Sequence, residues 1–312
     1  MKLSFDQIKS ITVGAVRIWQ EEDGIHFSKM TETQLAAYKV LSDTLFSTAS
    51  STTGIRFDFH TNASFVEFGV AAKGKYEVKI DGVLKERFEA EVHDVYKIAL
   101  SKNASHRVTI YMPSHSKGAI SYLALSDGAT LQRHSFARRF LLIGDSITQG
   151  WNSYFDTMSY AYQLCDHFDA ESIIQGTGGA YYHRTTFEKL DFDPDTVIVA
   201  YGTNDSFRIG SMDDFGALVH DCLSMVKSFY PSAKIHVITP VWRTDYDEPK
   251  PYGHVQLVGD RIKEEAEKLS LHTIDGMAMI PPFERFMDDR LHPNDLGFSI
   301  YAHNLIRALN NQ

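Results

Sequence analysis

Four short segments in the second half of the chain carry residue types suited to acyl-transfer chemistry. They are Gly144-Asp145-Ser146-Ile147-Thr148-Gln149-Gly150, Gln175-Gly176-Thr177-Gly178-Gly179, Gly202-Thr203-Asn204-Asp205 and Asp289-Arg290-Leu291-His292-Pro293. A serine hydroxyl is a weak nucleophile and needs an adjacent base. An imidazole such as that of His292 can take the proton near neutral pH and return it to a leaving alkoxide. Asp289, three residues before it, can accept from the other ring nitrogen and fix the tautomer. Backbone amides at a helix start can stabilise the oxyanion that forms. The glycine turn lets the backbone approach a substrate closely, and Asn204 adds a neutral amide donor. Taken singly, each segment has an ordinary explanation: a helix cap, a tight turn, an Asn/Asp turn, a helix opened by proline. Their joint occurrence, in this order, is what points to a site.

Each of these segments needs a strand end to place it. Arg139-Phe140-Leu141-Leu142-Ile143 reads as a continuously apolar strand ending at Gly144, and further strands are expected at Ser172–Ile174, Thr196–Ala200, Ile235–Thr239 and His272–Ile274. Runs that are apolar on both faces belong in a parallel sheet covered by helices. Helical periodicity runs from Asp213 to a stop at Pro231, from Val255 to Leu269, and from Pro293 to the end. The pattern is doubly wound α/β, in which ligands bind beyond the carboxyl ends of the strands, where all four segments fall. Before residue 135 the character differs. Ile55–Phe59, Tyr76–Ile80 and Arg107–Met112 alternate apolar and polar, Asp81-Gly82 reads as a hairpin turn, and Gly54, Gly74, Asn103 and Pro113 punctuate the rest. Little helical period is visible there, so an antiparallel β-sandwich is expected. The domains are placed at residues 1–130 and 136–312, with the boundary within Ser126–Ser135.

Composition narrows the function classes. The net charge of −9 argues against nucleic acid, which needs a basic footprint. The opening MKLSFDQIKS lacks an apolar signal core, and no stretch approaches the roughly 20 apolar residues that span a bilayer, so a cytoplasmic protein with no membrane partner is expected. Cys165 and Cys222 form no CxxC pair and read as small buried residues rather than catalytic thiols. No cluster has metal-ligand spacing, Gly176, Gly178 and Tyr181 miss the GxGxxG form, and no GxxxxGK[ST] loop is present; no metal or cofactor is expected. His183, His236 and His254 are weaker candidates than His292. Trp242 follows the Ile235–Thr239 strand, where its ring would stack on a sugar, wall an acyl pocket, or simply pack at the rim.

The order GDSI, glycine turn, GTND, DRLHP resembles the SGNH (GDSL) hydrolase superfamily, over about Phe140 to the C-terminus. The resemblance implies a flavodoxin-like three-layer domain with Ser146 as nucleophile, His292 as base and Asp289 as its orienting acid. The oxyanion donors it implies are the Ser146 amide, the Gly179 amide and Asn204. The family's glycine block usually follows Asn-x-Gly, which QGTGG does not reproduce, so Gly178 stays open beside Gly179. Asp145, Gly178 and Trp242 are further candidates for contacting substrate. A β-rich domain ahead of an SGNH domain resembles carbohydrate esterases with an N-terminal jelly roll. That arrangement implies hydrolysis of small O-acyl groups, acetyl above all, from a small-molecule or oligosaccharide ester. The alternatives are a lysophospholipase or thioesterase acting on longer chains, and a carbohydrate-binding protein without catalysis. Nothing in the sequence sets the oligomeric state.

Overall fold

A computed structural model describes residues 1–101, 104–250 and 254–311; the turn expected at Asn103 lies outside them. The chain divides into two compact units, Met1–Thr31 with Ser50–Phe136, and Glu32–Ala49 with Ala137–Gln312.

The first unit contains α1 (Phe5–Ile11), opened by a Ser4–Gln7 capping box, and eleven strands. These are β1 (Thr12–Val13), β2 (Arg17–Gln20), β3 (Ile25–Ser28), β4 (Arg56–Thr61), β5 (Phe65–Val70), β6 (Gly74–Ile80), β7 (Val83–Ala90), β8 (Val95–Ala99), β9 (His106–Tyr111), β10 (Ala119–Leu125) and β11 (Gln132–Arg133). They form two antiparallel sheets, β1-β4-β9-β6-β7 with β11 on β4, and β2-β3-β10-β5-β8. Phe57, Phe59, Val78, Val108 and Ile110 from one sheet and Phe27, Val66, Phe68 and Leu123 from the other share one core. The Asp81-Gly82 turn has positive φ at both residues, 52° and 79°, as a tight I′ hairpin requires. Period-two alternation predicts one wet face, but the polar positions of Ile55–Phe59 do not face water. Arg56 and Asp58 are buried, and Asp58 accepts two bonds from Arg107 at 2.8 and 2.9 Å. The charges tolerate burial because they are paired.

The second unit begins with α2 (Glu32–Leu41) and α3 (Asp43–Ala49). These two helices lie inside residues 1–130 yet group with the α/β unit, which departs from the expected single β segment. The reason is visible in what they bury. Gln34 of α2 exchanges a reciprocal pair of amide hydrogen bonds with Gln175, at 3.0 and 3.1 Å, and donates to the Thr186 carbonyl. Because α2 buries a glutamine and a tyrosine instead of an apolar stripe, its hydrophobic period is blurred and the sequence conceals it.

The remaining elements are β12 (Arg138–Gly144), α4 (Ser146–Gln149), α5 (Tyr160–His167), β13 (Ala170–Gly176), β14 (Thr196–Ala200), α6 (Met212–Phe229), β15 (Lys234–Ile238), α7 (Val255–Lys268), β16 (His272–Ile274) and α8 (Asp295–Asn310). All strand pairs are parallel, in the order β13-β12-β14-β15-β16, the 2-1-3-4-5 order of flavodoxin-like folds. With right-handed crossovers the reversal at β12 sends α5 and α8, which pack together, to one face and α6 and α7 to the other. The last helix starts two residues later than expected, capped by Asn294, whose side chain accepts from the Gly297 amide at 3.0 Å. Cys165 and Cys222 are buried in α5 and α6, and neither takes part in a disulfide. Among the described residues no helix is long and apolar enough to cross a membrane.

Gly144 pairs with Gly176 on one side and with Ala200 on the other, so three strands end level. A Cβ on Gly176 would lie 2.3 Å from the Gln149 backbone nitrogen, and neither backbone has room to yield. Gly176→Ala is therefore expected to destabilise by roughly 1–3 kcal/mol, the ordinary cost of overpacking, read as a lower melting temperature in circular dichroism.

Candidate active site

Ser146 owes its position to a sharp turn between β12 and α4. Asp145 caps the helix, its carboxylate accepting from the Ile147 amide at 2.9 Å, and Gly150 closes it in the left-handed conformation at φ 89°. A Cβ on Gly144 would lie 2.1 Å from the Thr148 hydroxyl and 2.8 Å from the Ala200 carbonyl, which is why that strand ends in glycine. Ser146 is thus held at the first position of a buried turn, 6% exposed.

The glycine turn is fixed from both sides. Gln149 accepts from the Gly178 amide at 2.7 Å, and the Gly178 carbonyl accepts from Thr48 of α3 at 2.9 Å. Gly178 is therefore spent on structure. Gly179 sits at φ 80° with Leu45 of α3 at 3.4 Å from a Cβ position, and among the described residues its amide makes no hydrogen bond. Asn204 donates one amide hydrogen to the Ala180 carbonyl at 2.9 Å, leaving the other for a ligand. Next to it, Asp205 accepts from the Tyr182 amide at 3.1 Å, a second tie between these loops.

The segment ahead of α8 brings His292 to the serine. His292 Nε2 lies 2.8 Å from Ser146 Oγ, and His292 Nδ1 lies 2.8 Å from Asp289 Oδ2. With Nδ1 protonated and donating to Asp289, Nε2 accepts from the serine hydroxyl. The other carboxylate oxygen, Oδ1, accepts the amides of Leu291 and His292 at 2.6 and 2.7 Å. Burial opposes charge on Asp289, but the bonds from the His292 ring and these two amides outweigh it and hold the carboxyl below its usual range. A serine, an imidazole and a carboxylate in one hydrogen-bonded chain can deprotonate an alcohol and later protonate a leaving one.

Behind this chain lies an ion-pair network that sequence reading missed. Arg243 is fully buried, pairs with Asp245, and donates to the Thr203 carbonyl at 3.2 Å. The Thr244 amide donates to the Arg290 carbonyl at 3.1 Å, and the Arg290 side chain reaches Asp245 at 3.4 Å. Burial opposes charge on Asp245 too, yet Arg243 and Lys250 bring its pKa down to about 2. The loop after β15 thereby braces both the Asn204 loop and the His292 loop. Trp242 in the same loop is only half-buried, and among the described residues it joins no ring stack or hydrogen bond. The aromatic beside the base is Trp151, 36% exposed, its ring centroid 6.4 Å from that of His292. Its place directly after Gly150, the residue that ends the nucleophile helix, was the available signal.

His183 bonds Thr185, His236 is buried against His272, and His254 precedes α7; the structure leaves all three outside the serine–imidazole–carboxylate chain. In the first unit, ligand atoms of Glu21, Asp23 and His26 come within 4.8 Å of one another. The sequence spacing does not reveal this grouping, whose two carboxylates are solvated. A pocket of about 190 Å³, walled by Tyr181, Tyr182, Ile209, Phe215 and Leu218 together with the charged Asp205, Arg208 and Asp214, adjoins the loops of Gly179 and Asn204. A larger one, about 250 Å³, lies at the ends of β15 and β16 and includes none of the triad.

A five-stranded sheet with this topology and this site defines an ester hydrolase. Residues 142–300, just over half of the chain, match the model of the GDSL-like lipase/acylhydrolase family, and the chain belongs to that family. No curated protein matches it in sequence. Among solved structures it is similar to the salicylyl-acyltransferase SsfX3 from a tetracycline biosynthetic pathway, with a TM-score of 0.85, 16% identity, and 96% of this chain and 94% of that one covered. It is also similar to a Bacteroides ovatus protein described as a GDSL-like lipase, with a TM-score of 0.76, 18% identity and coverage of 100% and 97%. A family two carbohydrate esterase from Clostridium thermocellum, solved with cellohexaose, gives a TM-score of 0.68, 15% identity and coverage of 84% and 93%.

Two carboxyls beside the site bear on pH. Burial raises both Asp145 and Asp205 to about 7, their hydrogen-bonded amides only partly opposing it, and one oxygen of Asp205 has no partner. Each therefore binds its proton more tightly folded than unfolded. Their stabilisation is complete below the unfolded carboxyl range, about pH 4, and is lost as pH rises through about 7. From pH 5 to 8.5, the melting temperature of the wild type should fall more steeply than that of Asp205→Asn; parallel curves would contradict burial as the cause.

Proposed function

We propose that the chain hydrolyses small O-acyl esters, acetyl esters of carbohydrates above all, through an acyl-enzyme on Ser146. His292 serves as base and then acid, and Asp289 orients it. The amides of Ser146 and Gly179 and the side chain of Asn204 receive the oxyanion. The observation that carries this reading is the unbroken hydrogen-bond chain from Ser146 Oγ through His292 to Asp289. The glycine assignment favours Gly179 because the Gly178 amide is already bonded to Gln149. In the first step Ser146 Oγ bonds to the ester carbonyl carbon as its proton passes to His292. The tetrahedral species then expels the alcohol, which takes that proton. Water, deprotonated by His292, next attacks the acyl-serine; the second tetrahedral species releases the acid as Ser146 Oγ takes the proton back from His292. Asp145, as the cap that sets the Ser146 turn, acts on this step through the backbone and not through substrate. The carbohydrate assignment draws on the similarity to family two carbohydrate esterases and on Trp151, whose half-open ring beside His292 can stack on a sugar.

A second reading is favoured by the pocket of about 190 Å³. An apolar cavity of about 150 Å³ is enough for a benzene ring, so this one exceeds what an acetyl group fills. It fits a longer or aromatic acyl group, in line with the similarity to a salicylyl-acyltransferase.

Purified protein should release acetate from acetylated sugars and from 4-nitrophenyl acetate. Ser146→Ala should lower kcat by roughly 10⁴-fold or more, and Asn204→Ala by about 10²–10³-fold. Retained turnover in Ser146→Ala would remove the serine from its role. A series of 4-nitrophenyl esters from acetyl to octanoyl and benzoyl separates the two readings: kcat/KM greatest at acetyl supports the first, and a rise beyond butyryl or at benzoyl supports the second.

A further inference from the structure

The turn that follows the nucleophile helix reaches across to the base loop. Trp151 donates its amide to the Ser146 carbonyl at 2.8 Å, Asn152 Nδ2 donates to Asp289 Oδ2 at 2.8 Å, and the Tyr154 amide donates to Asp295 Oδ1 at 2.9 Å. Asn152 stands at φ 66°, a left-handed conformation that asparagine adopts more readily than most residues and glycine freely. The carboxylate of Asp289 thus receives four donors. Two are backbone amides that come from its own loop. They pin Oδ1, but the group could still pivot about that oxygen. Oδ2 is the oxygen that faces the imidazole, and the Asn152 amide is the contact that fixes it from outside the loop.

We propose that Asn152 is a positioning residue of the hydrolytic site, locking the Asp289 carboxylate at the angle that keeps His292 Nε2 on Ser146. The inference rests on the Ser146–His292–Asp289 reading above. Its physical content is a clamp: the segment that carries the serine also fixes the acid that orients the base, so the two halves of the site cannot drift apart independently. The Ser153 hydroxyl donates to the Gly150 carbonyl at 2.7 Å, which stiffens the turn that presents Asn152.

The test uses the full chain with two substitutions. Asn152→Gly keeps the left-handed backbone and removes only the amide. It should lower kcat for 4-nitrophenyl acetate about tenfold, with KM changed less than twofold and the melting temperature held. Asn152→Asp keeps the size but sets a carboxylate next to Asp289, where added negative charge favours the imidazolium. The acid limb of the kcat/KM profile should move up by about one pH unit, a shift that loss of packing alone would not produce. Wild-type kcat in Asn152→Gly, or an unmoved acid limb in Asn152→Asp, with Ser146→Ala inactive, overturns the clamp and leaves the triad standing. A Ser146→Ala protein that still turns over removes the triad reading and the clamp with it.

Discussion

A hydrogen bond of 2.8 Å joins Ser146 Oγ to His292 Nε2 across 146 positions of sequence, and every other feature of the second unit can be read as serving that contact. The serine is delivered by the end of β12 and the histidine by the turn before α8. Neither can reach the other unless the sheet ends level and the last helix returns over the face where α5 packs. The parallel register supplies the first condition, because Gly144 lies beside both Gly176 and Ala200. Glycine at the ends of two of these strands lets the following turns close against each other without a side chain between them.

The residues around the contact are treated according to burial. His292 and Asp289 are partly exposed, but Ser146 is buried and the supports are deeper still: Gln149, Arg243 and Asp245 are almost wholly excluded from water. A charge so placed is costly unless paired, and removing one partner is more damaging than never having had either. Asp245 therefore works as a shared anchor, holding Arg243, which holds the Thr203 carbonyl, and meeting Arg290 beside the base. Backbone carbonyls and charged side chains tie the two loops together. Apolar packing tolerates small slides, whereas directed hydrogen bonds do not.

Much of this was legible in the sequence, for a physical reason. Strands buried on both faces announce themselves as apolar runs, as in Phe140–Ile143, and a turn that must sit at a strand end needs glycine, as at 144 and 176. Ser146 and His292 stand out only through the joint order of GDSI, glycine turn, GTND and DRLHP, since each segment alone has an ordinary explanation. The supports were not legible. Gln34 and Gln175 meet over 141 positions, and nothing local distinguishes them from surface glutamines. Helix α2 buries Gln34 and Tyr38, and the seven-residue α3 buries only Leu45 and Ala49, so neither shows a clear apolar period. Trp242 was drawn to attention by its strand, but aromatic proximity to His292 falls to Trp151, because a left-handed cap at Gly150 turns the chain back over the site. Local spacing identifies groups that react; only the tertiary fold identifies groups that hold them.

The two sides of Ser146 also differ, and the proposed chemistry gives that difference a meaning. An alcohol that takes its proton from His292 must leave on the side of the base, where the half-exposed ring of Trp151 lies. The oxyanion must point toward the loops of Gly179 and Asn204, and the acyl carbon is bonded to Ser146 between these directions. The pocket of about 190 Å³ begins at Tyr181 and Asp205, just beyond those oxyanion loops. Its lining joins aromatic and aliphatic side chains to the charged Asp205, Arg208 and Asp214. Under the proposed chemistry the alcohol leaves past a flat aromatic ring, whereas an acyl group reaching this pocket would meet a wall that is part apolar and part charged. Departing alcohol and oxyanion are thus attended by different loops in the proposed chemistry, the first by the turn after α4 and the second by the turns after β13 and β14.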